Sequence, residues 1–340
     1  MTSNRRYTIT LFLTFIILIV AILFFFNKLV SVWYHIQIAP KGESEIEKLV
    51  DEINATYGVI EKLEKIAEWE AENVEYIYGV EPSFSFGGFA FYWIDGELKI
   101  RVLDQSGFNN DPKWIAYFKV GGCGELATLF CEVAKRAGLE ARVVSDPGID
   151  HSWVEVKING SWVIADPTIY WWYVNDPEKF TEWNELWFNN KSWLKCWSFS
   201  RVVTRLPNGS ILDITENYTK AYKVTISVDQ KIERGFLRVA TWKGSDERNV
   251  YFSEVNGSET VTLTLGGRIY KFELIKPTWF GTEKYGLRVY PVTEIQNKTI
   301  KLKIDRERPN WNFISLSFLL VSCIWIVSTI LLLKACQRKV

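Results

Sequence analysis

Two stretches without a single charged residue, at 7–27 and 313–333, constrain this chain more than any other feature. Each holds 21 residues dense in Leu and Ile. As helices rising ~1.5 Å per residue they would reach about 31 Å, the thickness of a bilayer's hydrocarbon core. The first is longer than the ~7–15 residues of a signal-peptide core. Asn27-Lys28-Leu29-Val30 also offers no small-x-small cleavage site, so a retained anchor is expected. Arg5 and Arg6 precede the first stretch, and Lys334, Arg338 and Lys339 follow the second. The positive-inside rule then puts both termini in the cytoplasm and everything between them outside. The expectation is a two-pass cell-membrane protein with transmembrane helices at 7–29 and 313–333. Asn-x-Ser/Thr triplets at Asn54, Asn159, Asn190, Asn208, Asn217, Asn256 and Asn297 all lie between the spans, in keeping with an extracellular glycoprotein.

Charge and cysteine content narrow the partners. Basic and acidic residues balance at 40 each, which argues against a nucleic-acid partner. Five cysteines in 340 residues make no disulfide scaffold. With two histidines and no Cys-x-x-Cys pair, neither a metal site nor a cofactor is expected. His35, beside the first span, reads as an interfacial residue.

Between the spans the texture changes once. Residues 42–78 carry Ile46, Leu49, Val50 and Ile53, then Ile60, Leu63, Ile66 and Ala67, at the spacing of two helices. Residues 82–103 alternate around Asp95-Gly96 and predict a hairpin. Residues 106–113 read as a loop, and a third helix opens near Cys123. After Ser200 come short alternating runs at 224–228, 236–239, 261–265, 270–274, 285–290 and 299–304, punctuated by Gly, Asn and Asp. These predict an antiparallel β-sandwich. The expected fold class is α+β, with an α+β domain at 37–200 and the sandwich at 201–308.

One segment carries the chemistry. From Cys123 onward, Leu126, Leu129, Phe130, Val133, Ala134 and Ala137 form one apolar helical face, with Glu125, Glu132, Lys135 and Arg136 toward water. Gly138 stands where a C-cap belongs. Cys123 therefore sits at the helix N-terminus, where backbone N–H groups and the dipole favour a thiolate. Downstream, Asn159-Gly160 between alternating runs predicts a two-residue hairpin whose opposed residues sum to 319. Trp153 then faces Asp166 and His151 faces Thr168. His151 and Asp166 become diagonal neighbours on one face, within side-chain reach. A cysteine, a histidine and an aspartate so arranged form a nucleophile, base and orienter.

This stretch also resembles the transglutaminase-like superfamily, which shares the papain-type Cys-His-Asp arrangement. The matching residues are Gly122-Cys123-Gly124-Glu125, the helix ending Arg136-Ala137-Gly138-Leu139 and the strand Ala141-Arg142-Val143-Val144. His151-Ser152-Trp153 and Trp162-Val163-Ile164-Ala165-Asp166-Pro167-Thr168 complete it. The resemblance covers residues 45–175. It implies that Cys123, His151 and Asp166 are a catalytic triad for thiol acyl transfer at protein or peptide amides. The thioester would pass to water or to an amine. An oxyanion hole would take the Cys123 N–H and a second, upstream donor, with Trp93 and Gln105 as candidates. The alternative is a non-catalytic cell-surface binding module on the same fold.

Other residues keep two readings. Half of the 16 tryptophans fall between Trp153 and Trp197, either as an aromatic core bracing the triad or as a groove at Trp171-Trp172 for peptide or sugar. Cys131 is expected in the core, with a Cys131–Cys196 disulfide left open.

Overall fold

The computed structural model describes residues 14–15, 25–26, 28–55, 58–103, 108, 110–190, 198–228, 234–278 and 282–309. The spans expected at 7–29 and 313–333 fall almost wholly outside these residues. Among the described residues, no helix is long and apolar enough to cross a membrane. The chain divides into two compact units, one of residues 1–145, 151–196 and 204–210 and the other of residues 146–150, 197–203 and 211–340.

The first unit mixes helices and strands. Residues 28–33 are helical, Tyr34–Ile38 form a π-turn, and the chain runs on into α1 (Ala39–Asn54). Ile46, Leu49 and Ile53 bury one stripe of α1, and Leu63, Ile66, Ala67 and Ala71 one stripe of α2 (Val59–Asn73). That is the helical periodicity the sequence carries. The segment 82–103 forms three strands rather than a single hairpin: β2 (Phe84–Phe86), β3 (Phe89–Ile94) and β4 (Glu97–Val102), in that order. Asp95 and Gly96 close the β3–β4 turn with positive φ at both positions, the geometry that matches strand twist.

A helix absent from the sequence reading, α3 (Pro112–Phe118), follows. Asp111 caps it by accepting the Lys113 N–H at 2.9 Å, with Pro112 at the first helical position. Beside it runs a short parallel pair of strands, β1 (Glu75–Tyr76) and β5 (Val120–Gly121), with Tyr76 opposite Gly121. The helix α4 (Cys123–Arg136) leads into a sheet in which β6 (Ala141–Asp146) lies between β9 (Val203–Arg205) and β7 (His151–Ile158). The other edge of β7 takes β8 (Ser161–Ala165), which is followed by α5 (Pro167–Asn175).

In the second unit, β10 (Ile211–Asp213) precedes two sheets. One has the order β14 (Thr260–Leu265), β11 (Tyr222–Val228), β17 (Thr299–Leu302). The other runs β13 (Asp246–Val255), β12 (Gly235–Lys243), β15 (Ile269–Pro277), β16 (Thr282–Pro291), β18 (Arg306–Pro309). Val224, Ile226, Leu237, Val239, Leu265, Tyr270, Phe272 and Leu274 bury their side chains in one core drawn from both sheets. Tyr222, Val224, Ile226 and Val228 point inward from alternate positions of β11, as a two-layer β unit requires.

The sheets are not wholly antiparallel, since β17 runs parallel to β11. β13 is an edge strand on which only Val250 and Val255 are buried. Its charged and polar residues leave no apolar alternation to read.

Candidate active site

The site is assembled by three elements of the first unit. Cys123 is the first residue of α4 and is half-buried. The helix docks through Leu126, Ala127, Leu129, Phe130, Cys131, Val133 and Ala134, so its N-terminus is held by its own apolar face. Gly138, with φ of +84°, ends it in the left-handed conformation that glycine adopts without a Cβ penalty. Gly121 is needed for a different reason. A Cβ there would lie 2.5 Å from the Cβ of Glu125.

Glu125 does not face water, as its place on the helix had suggested. It turns back to accept the Gly122 N–H at 2.9 Å and receives Arg101 of β4 through Nε at 2.6 Å and Nη2 at 3.1 Å. A fork-to-fork pair of this kind is directional as well as attractive. It ties the strand to the helix turn that begins at Cys123. Nothing in the sequence pattern singles out Arg101. The half capping box made by Glu125 three residues after Gly122 was the signal available for its partner.

His151 and Asp166 arrive from the hairpin. The register pairs Val154 with Ala165 and Ile158 with Ser161, so opposed residues sum to 319 as the Asn159-Gly160 turn requires. Asn159 and Gly160 have φ of +51° and +81°, the type I′ signature. His151 opens β7, and Asp166 lies just past the end of β8, where it caps α5. Oδ1 of Asp166 accepts the N–H groups of Thr168 and Ile169 at 3.0 and 3.2 Å, and Oδ2 lies 2.8 Å from Nε2 of His151. The Asp166 side chain is fully buried and that of His151 is 12% exposed. Trp153, fully buried on the same face of β7, stacks on the imidazole with ring centroids 5.9 Å apart.

The Cys123 thiol hydrogen-bonds the same imidazole. With Nε2 committed to Asp166, Nδ1 is the nitrogen left for sulfur. Burial works against a charged imidazole. The Asp166 carboxylate, by charge and hydrogen bond, and Cys123 more than offset it, lifting the His151 pKa to about 10. The three residues singled out by the sequence are therefore linked through the imidazole, which meets Asp166 on one side and Cys123 on the other.

The surroundings are aromatic. Tyr76, opposite Gly121, packs its ring on Trp171 and Trp172 of α5 at 5.3 and 5.5 Å. Trp171 donates Nε1–H to the Val74 carbonyl at 2.8 Å. Trp153 and Trp187 are buried, whereas Trp171 and Trp172 are half-buried, so the tryptophans divide between core and surface. Trp93 stands 66% exposed on β3, opposite Leu98. Gln105, the other oxyanion candidate, and Cys196 lie outside the described residues. Cys131 is buried and unbridged. Among the described residues, no three His, Cys, Asp or Glu side chains come together to hold a metal ion.

Residues 89–167, which contain all three contacting side chains, match the family model described as Transglutaminase-like superfamily. A solved structure described as "Crystal structure of a TGase" is similar at 13% identity and a TM-score of 0.29. That similarity covers 42% of this chain and 38% of the other, so the chain spans well under half of that relative's length. No curated protein matches. On that match, residues 89–167 are similar to the transglutaminase-like superfamily.

Proposed function

We propose that this chain is a membrane-anchored thiol enzyme that transfers acyl groups from protein or peptide amides, with its central units outside the cell. The observation that carries the reading is the chain of contacts from Cys123 to His151 to Asp166, with Nε2 and Oδ2 2.8 Å apart. In the reaction, Sγ of Cys123 forms a bond to the carbonyl carbon while the C–N bond breaks. The proton held by His151 passes to the departing nitrogen, which leaves as ammonia or an amine. Asp166 keeps the imidazole in one tautomer and orientation. The Cys123 N–H, at the start of α4, is placed to meet developing charge on the carbonyl oxygen. Water or an amine then attacks the thioester, giving its proton back to His151 and releasing Cys123.

The test is intact-mass labelling of the full chain with iodoacetamide, comparing wild type, Cys123→Ala and His151→Ala. At pH 6, labelling should occur at Cys123 and slow about 100-fold in His151→Ala. Equal rates in wild type and His151→Ala would sink the paired-nucleophile reading and leave the fold as a binding module. Ammonia release from a glutamine peptide, with and without incorporation of an added amine, separates hydrolysis from transfer.

A further inference from the structure

The helix that enters the first unit is apolar on both sides. Val30, Tyr34 and Ile38 point inward, packed with Phe89, Trp114 and Phe118 in one core cluster. The opposite side should therefore be polar if it faced water. Instead Phe25, Leu29, Val32 and Ile36 are 50, 54, 55 and 74% exposed. Their spacing of four, three and four residues places them on one stripe of a helix. Exposed apolar residues scattered singly need no explanation, but a stripe in register does.

A second exposed apolar group sits against the same helix. Phe26 meets Phe86 edge-on at 4.8 Å and Phe89 at 5.9 Å. That contact fixes the β2–β3 turn beside residue 26, with Phe84 and Phe86 at its edge 56 and 40% exposed. Gly87 permits the approach, since a Cβ there would lie 2.6 Å from the Phe26 ring.

Two facts indicate what covers this face. Phe25 itself belongs to the uncharged stretch 7–27, most of which lies outside the described residues, and Leu29 follows that stretch after Asn27-Lys28. The residues up to the end of the stripe, 1–36, also contain Arg5, Arg6 and Lys28 but no Asp or Glu, the first carboxylates being Glu43 and Glu45 on α1. A face of helical apolar residues flanked by cations alone suits a lipid headgroup layer, where apolar side chains enter the acyl boundary and cations meet phosphate. A water-exposed surface would carry carboxylates as well.

We propose that the stripe Phe25, Leu29, Val32 and Ile36, together with Phe84 and Phe86, docks onto the bilayer surface and seats the transglutaminase-like unit against the membrane. The inference rests on the membrane-anchored reading of the stretch 7–27. Phe25 and Leu29 fall within the expected span 7–29, and what the inference adds beyond the anchor is Val32, Ile36, Phe84 and Phe86.

Photocross-linking tests it in the full chain reconstituted into vesicles of phosphatidylcholine and phosphatidylglycerol. The photoreactive residue p-benzoylphenylalanine is introduced singly at Leu29, Ile36 and Phe84, at Leu18 as a control for the anchor, and at Asn159 as a control for water. Lipid adducts at Leu29, Ile36 and Phe84 should exceed the Asn159 yield about tenfold and be found by mass spectrometry. Adducts at Leu18 with none above background at Ile36 and Phe84 would overturn the docking face while keeping the anchor. Failure at Leu18 as well would overturn the anchor reading. Protein–protein adducts in place of lipid adducts at Ile36 and Phe84 would overturn the proposal in favour of a second chain.

Discussion

Oδ2 of Asp166 lies 2.8 Å from Nε2 of His151 while Oδ1 of the same carboxylate closes the first turn of α5. One buried side chain thus orients the imidazole and starts a helix, and the two roles separate under mutation. Asp166→Asn keeps an oxygen for the cap but offers the imidazole no charge. It should lower acyl transfer by about 10³–10⁴-fold with little loss of stability. Asp166→Ala should also lose about 1 kcal/mol from the missing cap. Turnover and urea unfolding of both variants check this. Equal destabilisation of the two would show that the carboxylate's charge, not its cap, holds the structure.

The His151 pKa of about 10, against 6.5 in an unfolded chain, has a definite sign in stability. Between those values the folded state binds the extra proton. The contribution is therefore complete below pH 6.5 and is lost as pH rises toward about 10. The slope has an upper bound of about 1.4 kcal/mol per pH unit. Urea unfolding of wild type and His151→Gln from pH 6 to pH 9 should show the wild-type advantage shrinking with pH. An advantage that grows would refute the proton's assignment to His151.

Arg101 and Glu125 hold β4 to the turn bearing Cys123, and both are partly shielded from solvent. A double-mutant cycle with Arg101→Gln and Glu125→Gln should give a coupling of about 1 kcal/mol in unfolding. If the pair positions Cys123, Glu125→Gln should also slow iodoacetamide labelling of Cys123 several-fold. Coupling in stability with unchanged labelling would restrict the pair to a structural role.

Glu70 of α2 is fully buried, and among the described residues its carboxylate meets no side-chain partner, only the backbone at Phe130. Burial pushes its pKa well above the usual carboxylate range. The folded state then holds a proton that an unfolded carboxylate releases, so this group favours folding less as pH rises above the ordinary Glu range. Glu70→Met removes the uncompensated polar group at similar volume and should stabilise the protein at pH 7 by about 1–3 kcal/mol. Calorimetry at pH 7 and pH 5 would check it, with a smaller gain expected at pH 5. Destabilisation at both would mean the carboxyl is satisfied in solution.

Legibility in the sequence followed locality. The His151–Asp166 relation could be read because a type I′ turn fixes a register and the register fixes which side chains share a face. The inward stripe of α4 could be read from helical period alone. Arg101 could not, because it meets Glu125 across 24 residues through tertiary packing that no local pattern encodes. Tyr76 reaches the neighbourhood of Cys123 through a two-residue parallel pairing too short to leave a period. The parallel placement of β17 is likewise a matter of connection, not of composition.

The β7–β8 turn has a consequence far from its own position. Because side chains alternate across a strand, the hairpin acts as a ruler with its zero at Asn159-Gly160. One residue added to either arm between the turn and the site would present the opposite face of that arm to its partner. The imidazole and the carboxylate would then be parted with Cys123, His151 and Asp166 all intact. Sequence drift that preserves the three chemical groups but alters the length of either arm would break the contact between His151 and Asp166, so arm length matters to the proposed site as much as the residues themselves.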